Sequence, residues 1–386
     1  MSFIKKYKFI FVVLAVFIGS FGLAIYLSRT NDVAKTKSTN QVATEPLSYQ
    51  IMQLQQTIIK EKKPPPTKAA LDYAYVSSVY FDSLTAANQA DALAAAGHML
   101  VVIYPDKQAF INQKVNGLAT SNNLGALGSQ LSVNVVSIAD GYASRYHSDH
   151  HDLKWNGVIP KGPGKWVSKV GLPPLTPRAG DWQRWVVNKS ISVPPPPTFG
   201  SAQDLAEIAN VKQVSGERNG NDVNIINFWG GTPGSETPAG IWQNQLYRTI
   251  KTELPADQLT ADQDYAKLQK ILAQTISDAF MECWKVKYTY WTARPDMRTA
   301  NVKTAMKDPN FPGYVSGHST ISKAAADVLS VMVPKHAEQW EAMALEARNS
   351  RIKAGIHFEI DNKIGFQVGT DVADQVKANL HLDTVL

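Results

Sequence analysis

The sequence is poor in cysteine. Its 386 residues include one, Cys283, so the chain cannot form an intramolecular disulfide bond. A domain of this size can bury enough apolar surface to be stable without one, and export from the cytoplasm is therefore not excluded. Cys283 lies in an apolar stretch between Met281 and Trp284, which is typical of a core residue rather than of a nucleophile.

Concentrated charge is also absent. Charged residues make up 19% of the chain, and half of the net charge of +6 comes from three lysines at positions 5, 6 and 8. No basic face remains to bind nucleic acid. Strand patterns are sparse and no internal repeat is evident, whereas segments with helical spacing recur along the chain. The sequence therefore predicts an all-α bundle, with its chemistry held between helices.

Long apolar runs are absent with one exception, residues 9–27. As a helix this run spans about 28 Å, close to a bilayer core of about 30 Å, and the lysines before it favour a cytoplasmic N-terminus. We expect residues 1–28 to form a membrane anchor, with the rest of the chain outside the cytoplasm. A cleaved signal peptide, which would release a secreted protein, is the alternative. Residues 29–67 are predicted to be a tether with a short amphipathic helix and a proline-rich end, followed by a helical domain over residues 68–386.

The middle of the chain is rich in proline and glycine. Residues 155–200 include "GPGKWVSKVGLPPLTPRAGDWQRWVV" and "SVPPPPTFG", which cannot be helix interiors. They predict a long ordered loop that wraps the helical body and is held by Trp166, Trp182 and Trp185. Before this loop, the stretch from residue 68 onward predicts two helices rich in alanine and aromatic residues. After it, helices are predicted at residues 201–211, 237–254, 261–294, 319–333, 338–353 and within 362–380.

Two segments carry residues suited to binding an anion. "WKVKYTYWTARPDMR" places Lys287 and Arg294 seven residues apart, about two turns along one face of the predicted helix. "FPGYVSGHSTISKAAADVL" places Ser316, Gly317 and His318 where a turn becomes a helix. A helix N-terminus presents unpaired N–H groups and favours negative charge, so this position suits an anion.

A third segment, "NSRIKAGIHFEID", contains Arg351, His357 and Asp361. His357 and Asp361 are four residues apart. If helix resumes there, the carboxylate can accept a hydrogen bond from one ring nitrogen and leave the other free. Taken singly, each cation is typical of a solvated surface and each histidine of a satisfied core or surface residue.

In this order the three segments resemble the signature of the superfamily of type 2 phosphatidic acid phosphatases and vanadium haloperoxidases. The pattern K-x6-RP, SGH and SR-x5-H-x3-D contains ten fixed residues, far more than chance would supply. The resemblance covers about residues 224–380, and "INFWGGTPGSETPAGIWQNQ" is similar to the soluble bacterial haloperoxidase branch. The sequence departs from the pattern at Val315, where the family usually has proline.

The resemblance implies a helical bundle of the chloroperoxidase and acid phosphatase type, with residues 68–386 as the catalytic domain. It also implies a pocket in which three cations, a hydroxyl and a backbone amide surround vanadate or phosphate. The residues implied to bind this anion are Lys287, Arg294, Ser316, Gly317, His318, Arg351 and His357.

The resemblance further implies individual roles. His357, oriented by Asp361, would be the axial ligand of vanadate in a peroxidase, or the nucleophile that forms a phosphohistidine in a phosphatase. His318 would act as general acid–base. Trp284 and Phe311 would line a halide site, because an apolar wall desolvates a halide and offers nothing to a charged phosphoester.

The expected function is therefore halide oxidation with hydrogen peroxide by a vanadium-dependent haloperoxidase-like enzyme. One alternative is a phosphomonoesterase that uses the same pocket for phosphate. Another is a tethered phosphate-binding protein, although pure binding does not require both His318 and His357.

The segment "YHSDHHD" offers a second cluster of polar side chains. His147, Asp149, His150, His151 and Asp152 could bind a metal ion. The spacing typical of a closed metal site is absent, and we interpret the segment as an exposed polar loop.

Overall fold

The computed structural model describes residues 45–125, 127 and 132–386. Within these ranges the chain forms helices and no β-strand, apart from two isolated bridges, which confirms the predicted all-α class. The α-helices are α1 (Leu47–Lys62), α2 (Pro66–Ala86), α3 (Gln89–Ile103), α4 (Gln108–Ser121), α5 (Val133–Ser148), α6 (Ala202–Gly216), α7 (Gly220–Gly230), α8 (Thr237–Ile250), α9 (Gln258–Tyr290), α10 (Pro295–Arg298), α11 (Gly317–Met332), α12 (Ala337–Lys353) and α13 (Glu359–Leu380).

Helix α9 is the centre of the bundle. All of residues 271–284 are buried, so this part of the helix is enclosed on every side, and α2, α11 and α13 pack around it. Helix α1 packs into the same core, with Leu47, Ile58 and Ile59 fully buried. Thr44–Leu386 forms one compact unit, so the helix that the sequence assigns to the tether packs with the domain.

Side-chain caps start three of the helices that surround the site. Asn219 and Asp222 form a reciprocal capping box at the start of α7. The carboxylate of Asp257 accepts the backbone N–H of Thr260 at 2.8 Å and starts α9. The Ser316 hydroxyl caps α11, which therefore begins within the Ser-Gly-His segment, as the sequence predicts.

The proline-rich segment is an ordered loop that contains one short 3₁₀ turn, Ala179–Asp181. Trp166 and Trp182 are buried, as predicted for residues that hold the loop. A third attachment could not be seen in the sequence: the buried carboxylate of Asp278 on α9 accepts the backbone N–H groups of residues 185–187, each at 2.8 Å. These hydrogen bonds fix the loop against the central helix.

Helix α9 ends earlier than predicted. The prediction placed Arg294 on the helix, but the helix stops at Tyr290 because Trp291 adopts left-handed backbone geometry with φ of 55°. Arg294 then lies in extended backbone before the short α10. Lys287 and Arg294 therefore do not share a helical face, and that prediction was wrong.

Three helices were missed. Helices α4, α5 and α7 have no counterpart among the predicted segments. The first two contain an interior glycine, Gly117 or Gly141, and both expose much of their surface, which weakens the helical pattern. Among the described residues, no helix is long and apolar enough to span a bilayer. Residues 9–27, where the membrane anchor is predicted, lie outside the described residues.

Candidate active site

The three sequence segments meet beside the N-terminus of α11. Arg294 Nη1 lies 3.3 Å from His357 Nε2, which joins the first segment to the third. The backbone N–H of Ser316 donates to the carbonyl of Asp361 at 2.9 Å, which joins the second segment to the third. The site residues of the three segments that are at least 97% buried are Lys287, Arg294, Ser316, Arg351, His357 and Asp361.

Arg294 is held by backbone oxygens around its whole guanidinium group. Its Nε donates to the carbonyl of Phe311 at 3.1 Å, and Nη1 donates to that of Ile356 at 2.8 Å. These contacts hold the planar group against His357. The side chain is fully buried, and burial lowers its pKa.

Lys287 donates its hydrogen bonds to backbone carbonyls. Its Nζ donates to the carbonyls of Pro312, Gly313 and Val315 at 2.9, 2.7 and 2.5 Å. An ammonium group has three N–H donors, so this set is complete. Lys287 therefore fixes the strand of backbone that leads into α11, and in this arrangement it acts on an anion through its charge. Burial lowers the pKa of Lys287 to about 7.

Arg351 reaches the site from the end of α12. Its Nε donates to the Ser350 hydroxyl at 2.8 Å, and Nη2 donates to the carbonyl of Ile226 on α7 at 3.1 Å. The side chain is fully buried, and burial together with repulsion from Arg294 lowers its pKa to about 9.

His357 has one ring nitrogen oriented and the other presented to the cations. Its Nδ1 lies 2.9 Å from Asp361 Oδ2, which also accepts the backbone N–H of Phe358. Because Arg294 can only donate, the contact at Nε2 requires a lone pair there and a proton on Nδ1. Burial and the neighbouring Arg294 keep the pKa of His357 well below its usual range, so the ring is neutral. The lone pair on Nε2 can bind an electrophilic centre.

His318 shows the opposite tautomer. Its Nε2 lies 2.7 Å from the carbonyl of Trp229, which can only accept, so Nε2 carries the proton. Burial and the charge of Arg351 keep the pKa of His318 well below its usual range. The neutral ring thus leaves the lone pair on Nδ1, where it can accept a proton.

The site carries excess positive charge. Lys287, Arg294 and Arg351 are fully buried, and the carboxylate of Asp361 lies beside them against His357. Asp296 and Asp308 also act on Arg294, but both form ion pairs with Lys169. Burial raises the pKa of Asp361, which reduces its power to neutralise the three cations. Buried cations need a negative partner. The backbone N–H groups in the first turn of α11, at Gly317 and His318, are hydrogen-bond donors that also favour negative charge. This donor set fits a tetrahedral oxyanion.

Solved structures of haloperoxidases share this arrangement of helices. A bacterial vanadium-dependent iodoperoxidase matches with a TM-score of 0.74 at 19% sequence identity, over 91% of this chain and 99% of that chain. The chain has the vanadium haloperoxidase fold.

A bacterial vanadium-dependent chloroperoxidase shares this fold as well. Its apo form matches with a TM-score of 0.62 over 83% of this chain and 95% of that chain, and its holo form with 0.61 over 84% and 97%, both at 12% identity. No protein-family model matches the sequence, and no curated protein matches it. The resemblance inferred from the three segments is confirmed at the level of the fold.

Within the haloperoxidase fold, the two predicted halide-site residues lie side by side. The rings of Trp284 and Phe311 are 4.8 Å apart between centroids. Lys287 Nζ lies 5.6 Å from the first centroid and 5.2 Å from the second, within the range of cation–π attraction. The wrapping loop closes this wall, because the carbonyl of Leu175 accepts Trp284 Nε1 at 3.2 Å and the Tyr288 hydroxyl at 2.7 Å.

The structure corrects the interpretation of "YHSDHHD". Tyr146 and His147 belong to α5, and Asp149 is fully buried rather than exposed. Asp149 accepts the Tyr75 hydroxyl and lies 2.6 Å from His151 Nδ1, so the segment anchors the start of the wrapping loop. Within the described part of the chain, no three His, Cys, Asp or Glu side chains are arranged to hold a metal ion.

Backbone carbonyls are the part of the site that sequence reasoning missed. Six residues supply them to the site cations, and a seventh supplies the partner of His318. The acceptors of the cations are Ile226, Phe311, Pro312, Gly313, Val315 and Ile356, and the partner of His318 is Trp229. A carbonyl is common to every residue, so no side-chain pattern could reveal these contacts.

Proposed function

We propose that the chain is a vanadium-dependent haloperoxidase-like enzyme that oxidises halide with hydrogen peroxide. The observation that carries this proposal is the buried set of three cations near the unprotonated Nε2 of His357, which Arg294 contacts at 3.3 Å. Vanadate suits the set because it is a tetrahedral oxyanion whose central atom can accept a nitrogen ligand. The titles of the similar structures name vanadium, which supports the choice of this oxyanion.

Each residue of the site has a distinct part in this proposal. His357 Nε2 would bind the central atom, while Arg294 and Arg351 would bind the oxygens. Bound vanadate would supply a Lewis acid that activates hydrogen peroxide. His318 would accept a proton from hydrogen peroxide at Nδ1 and return it later, because its Nε2 proton is committed to the carbonyl of Trp229.

Burial of the site favours the peroxidase over the phosphatase. Lys287, Arg294, Ser316 and Arg351 are fully buried, whereas His318 is partly exposed. Hydrogen peroxide and a halide are small enough to pass beside His318, whereas a phosphomonoester must also find room for its alcohol. The aromatic wall of Trp284 and Phe311 further suits a halide, which loses its hydration shell there.

The experiment that tests this proposal compares two reactions of one protein. We expect the vanadate-loaded protein to oxidise bromide or iodide with hydrogen peroxide, and phosphate to compete with vanadate. No halide-dependent turnover of the loaded protein, combined with phosphomonoester hydrolysis by the vanadate-free protein, would replace the peroxidase with the phosphatase. Binding of phosphate without either reaction would indicate a binding protein.

A substitution in the aromatic wall separates halide binding from anion binding. Trp284→Ala should lower kcat/KM for the halide about tenfold, because water then enters the wall and keeps the halide hydrated. The affinity for vanadate should change less than about threefold, since Trp284 adds no charge to the oxyanion. Steady-state kinetics and calorimetry measure the two effects. Trp291→Ala is a matched control, because this ring packs on Trp155 and Trp166 of the wrapping loop rather than on Phe311. Equal losses in halide turnover and vanadate affinity would contradict the assignment.

We also propose that the domain lies outside the cytoplasm. The proposal rests on the lysines before the apolar run at residues 9–27. Protease added to cells whose outer barrier has been opened should degrade the domain. Full protection in those cells would place the domain in the cytoplasm.

A further inference from the structure

The C-terminal turn of α7 faces two residues of the site. The carbonyl of Ile226 accepts Arg351 Nη2 at 3.1 Å, and the carbonyl of Trp229 accepts His318 Nε2 at 2.7 Å. The last four carbonyls of a helix, which in α7 include that of Trp229, have no partner within the helix, and they form the negative end of its dipole. This turn therefore faces the cationic site with complementary charge.

Two features fix the position of this helix end. Gly231 ends the helix in left-handed geometry with φ of 55°, and a Cβ atom on it would lie 2.5 Å from Cδ of Pro238. The chain thus passes too close to Pro238 for any other residue to fit without a shift. In addition, the ring of Trp229 is 1% exposed and packs 5.7 Å from that of Trp242.

The indole of Trp229 connects this turn to α12. Its Nε1 donates to Glu346 Oε1 at 3.0 Å. Glu346 precedes Arg351 by five residues on α12, and His318 is on α11. One residue therefore touches α12 through its side chain and α11 through its carbonyl.

We propose that Trp229 is a positioning residue: its indole, held by Glu346, fixes the carbonyl that determines the tautomer of His318. The carbonyl accepts the proton of Nε2 and thereby keeps the lone pair on Nδ1. A displaced carbonyl would allow the proton to reside on either nitrogen, and a ring protonated at Nδ1 cannot accept a proton there. Burial keeps the ring neutral by lowering its pKa, and the charges of Arg351, Lys287 and Arg294 act in the same direction without selecting a tautomer.

The consequence for turnover rests on the proposed function, whereas the consequence for the tautomer does not. Trp229→Phe removes the indole N–H and retains a ring, and Glu346→Ala removes its acceptor. Glu346→Gln retains an oxygen acceptor and should behave as the wild type. Trp340→Phe is the matched control, because it removes a buried indole N–H on α12 that donates to the carbonyl of Val333, the residue that follows α11.

Nitrogen-15 NMR of the imidazole rings measures the tautomer in the full chain, with the His318 signal identified by its loss in His318→Gln. The wild type, Glu346→Gln and Trp340→Phe should show His318 protonated at Nε2 alone. Trp229→Phe and Glu346→Ala should show a mixture of tautomers. In halide oxidation these two variants should lose kcat about tenfold, while phosphate affinity changes less than about threefold.

The result that overturns the proposal is a single Nε2–H tautomer in both Trp229→Phe and Glu346→Ala, with melting temperatures showing that they are folded. Mixed tautomers in Trp340→Phe would overturn it as well, because the effect would then come from any lost indole contact. Absence of halide oxidation in the wild type would contradict the proposed function and leave the tautomer result standing.

Discussion

Arg294→Ala is expected to weaken the binding of vanadate or phosphate by about 10²- to 10⁴-fold. Each charge-assisted hydrogen bond contributes about 1.5–3 kcal/mol, and a guanidinium group that loses two such contacts loses about 3–6 kcal/mol. Arg351→Ala should have an effect of the same order, because its side chain is equally buried and faces the same site. Both variants also lose buried hydrogen bonds to backbone carbonyls, so we expect a lower melting temperature and a helical fold that persists at the temperature of the titration.

Calorimetric titration measures the affinities, and circular dichroism verifies the folded state. Arg298→Ala is a matched control, since Arg298 lies four residues from Arg294 but forms a bidentate ion pair with Asp204 instead. The Arg298→Ala variant should bind phosphate with the same affinity as the wild type. Arg294→Lys, which keeps the charge and loses the fork, should give an intermediate affinity. Wild-type affinity in both alanine variants would show that the cations do not act on one anion.

The sequence predicted those parts of the site in which a side chain carries the information. Ser316 is both the cap of α11 and the neighbour of Gly317, so a local signal placed the helix N-terminus correctly. The spacing of His357 and Asp361 likewise anticipated their contact, because helix α13 begins at Glu359. Cys283 is buried on α9, as its apolar neighbours in the sequence predicted.

The remaining parts depend on backbone geometry that side chains do not encode. Trp291 ends α9 with a positive φ, a conformation usually signalled by glycine or asparagine, so the sequence favoured a longer helix. The partners of Lys287 are three carbonyls of the loop before α11, and only the folded chain shows that its donors are taken. The carbonyl of Trp229 was not predicted for the same reason. Helix α7, which carries it, was not predicted either.

Binding of a dianion should consume a proton at weakly alkaline pH. Burial lowers the pKa of Lys287 in the ligand-free protein to about 7, and a bound anion raises it again by favouring the charged form. Above neutral pH, Lys287 must therefore take up a proton when the anion binds, and affinity falls as pH rises. Asp361 acts in the same direction, because its pKa is raised by burial and its carboxylate, once formed, repels the anion. We expect a loss of up to about tenfold in affinity per pH unit through this range.

Sulfate is the suitable ligand for this measurement, since it stays a dianion from about pH 6 to pH 9, whereas phosphate and vanadate titrate there. His318 and His357 do not contribute to the pH dependence of sulfate affinity, because their lowered pKa values keep both rings neutral throughout this range. Titration calorimetry in buffers of different ionisation enthalpy should show proton uptake that grows above neutral pH. In Lys287→Met, sulfate binding should be weaker and should depend less on pH. A wild-type affinity that is constant over the whole range, without proton uptake, would mean that the three carbonyl partners hold Lys287 in its charged form before any anion arrives.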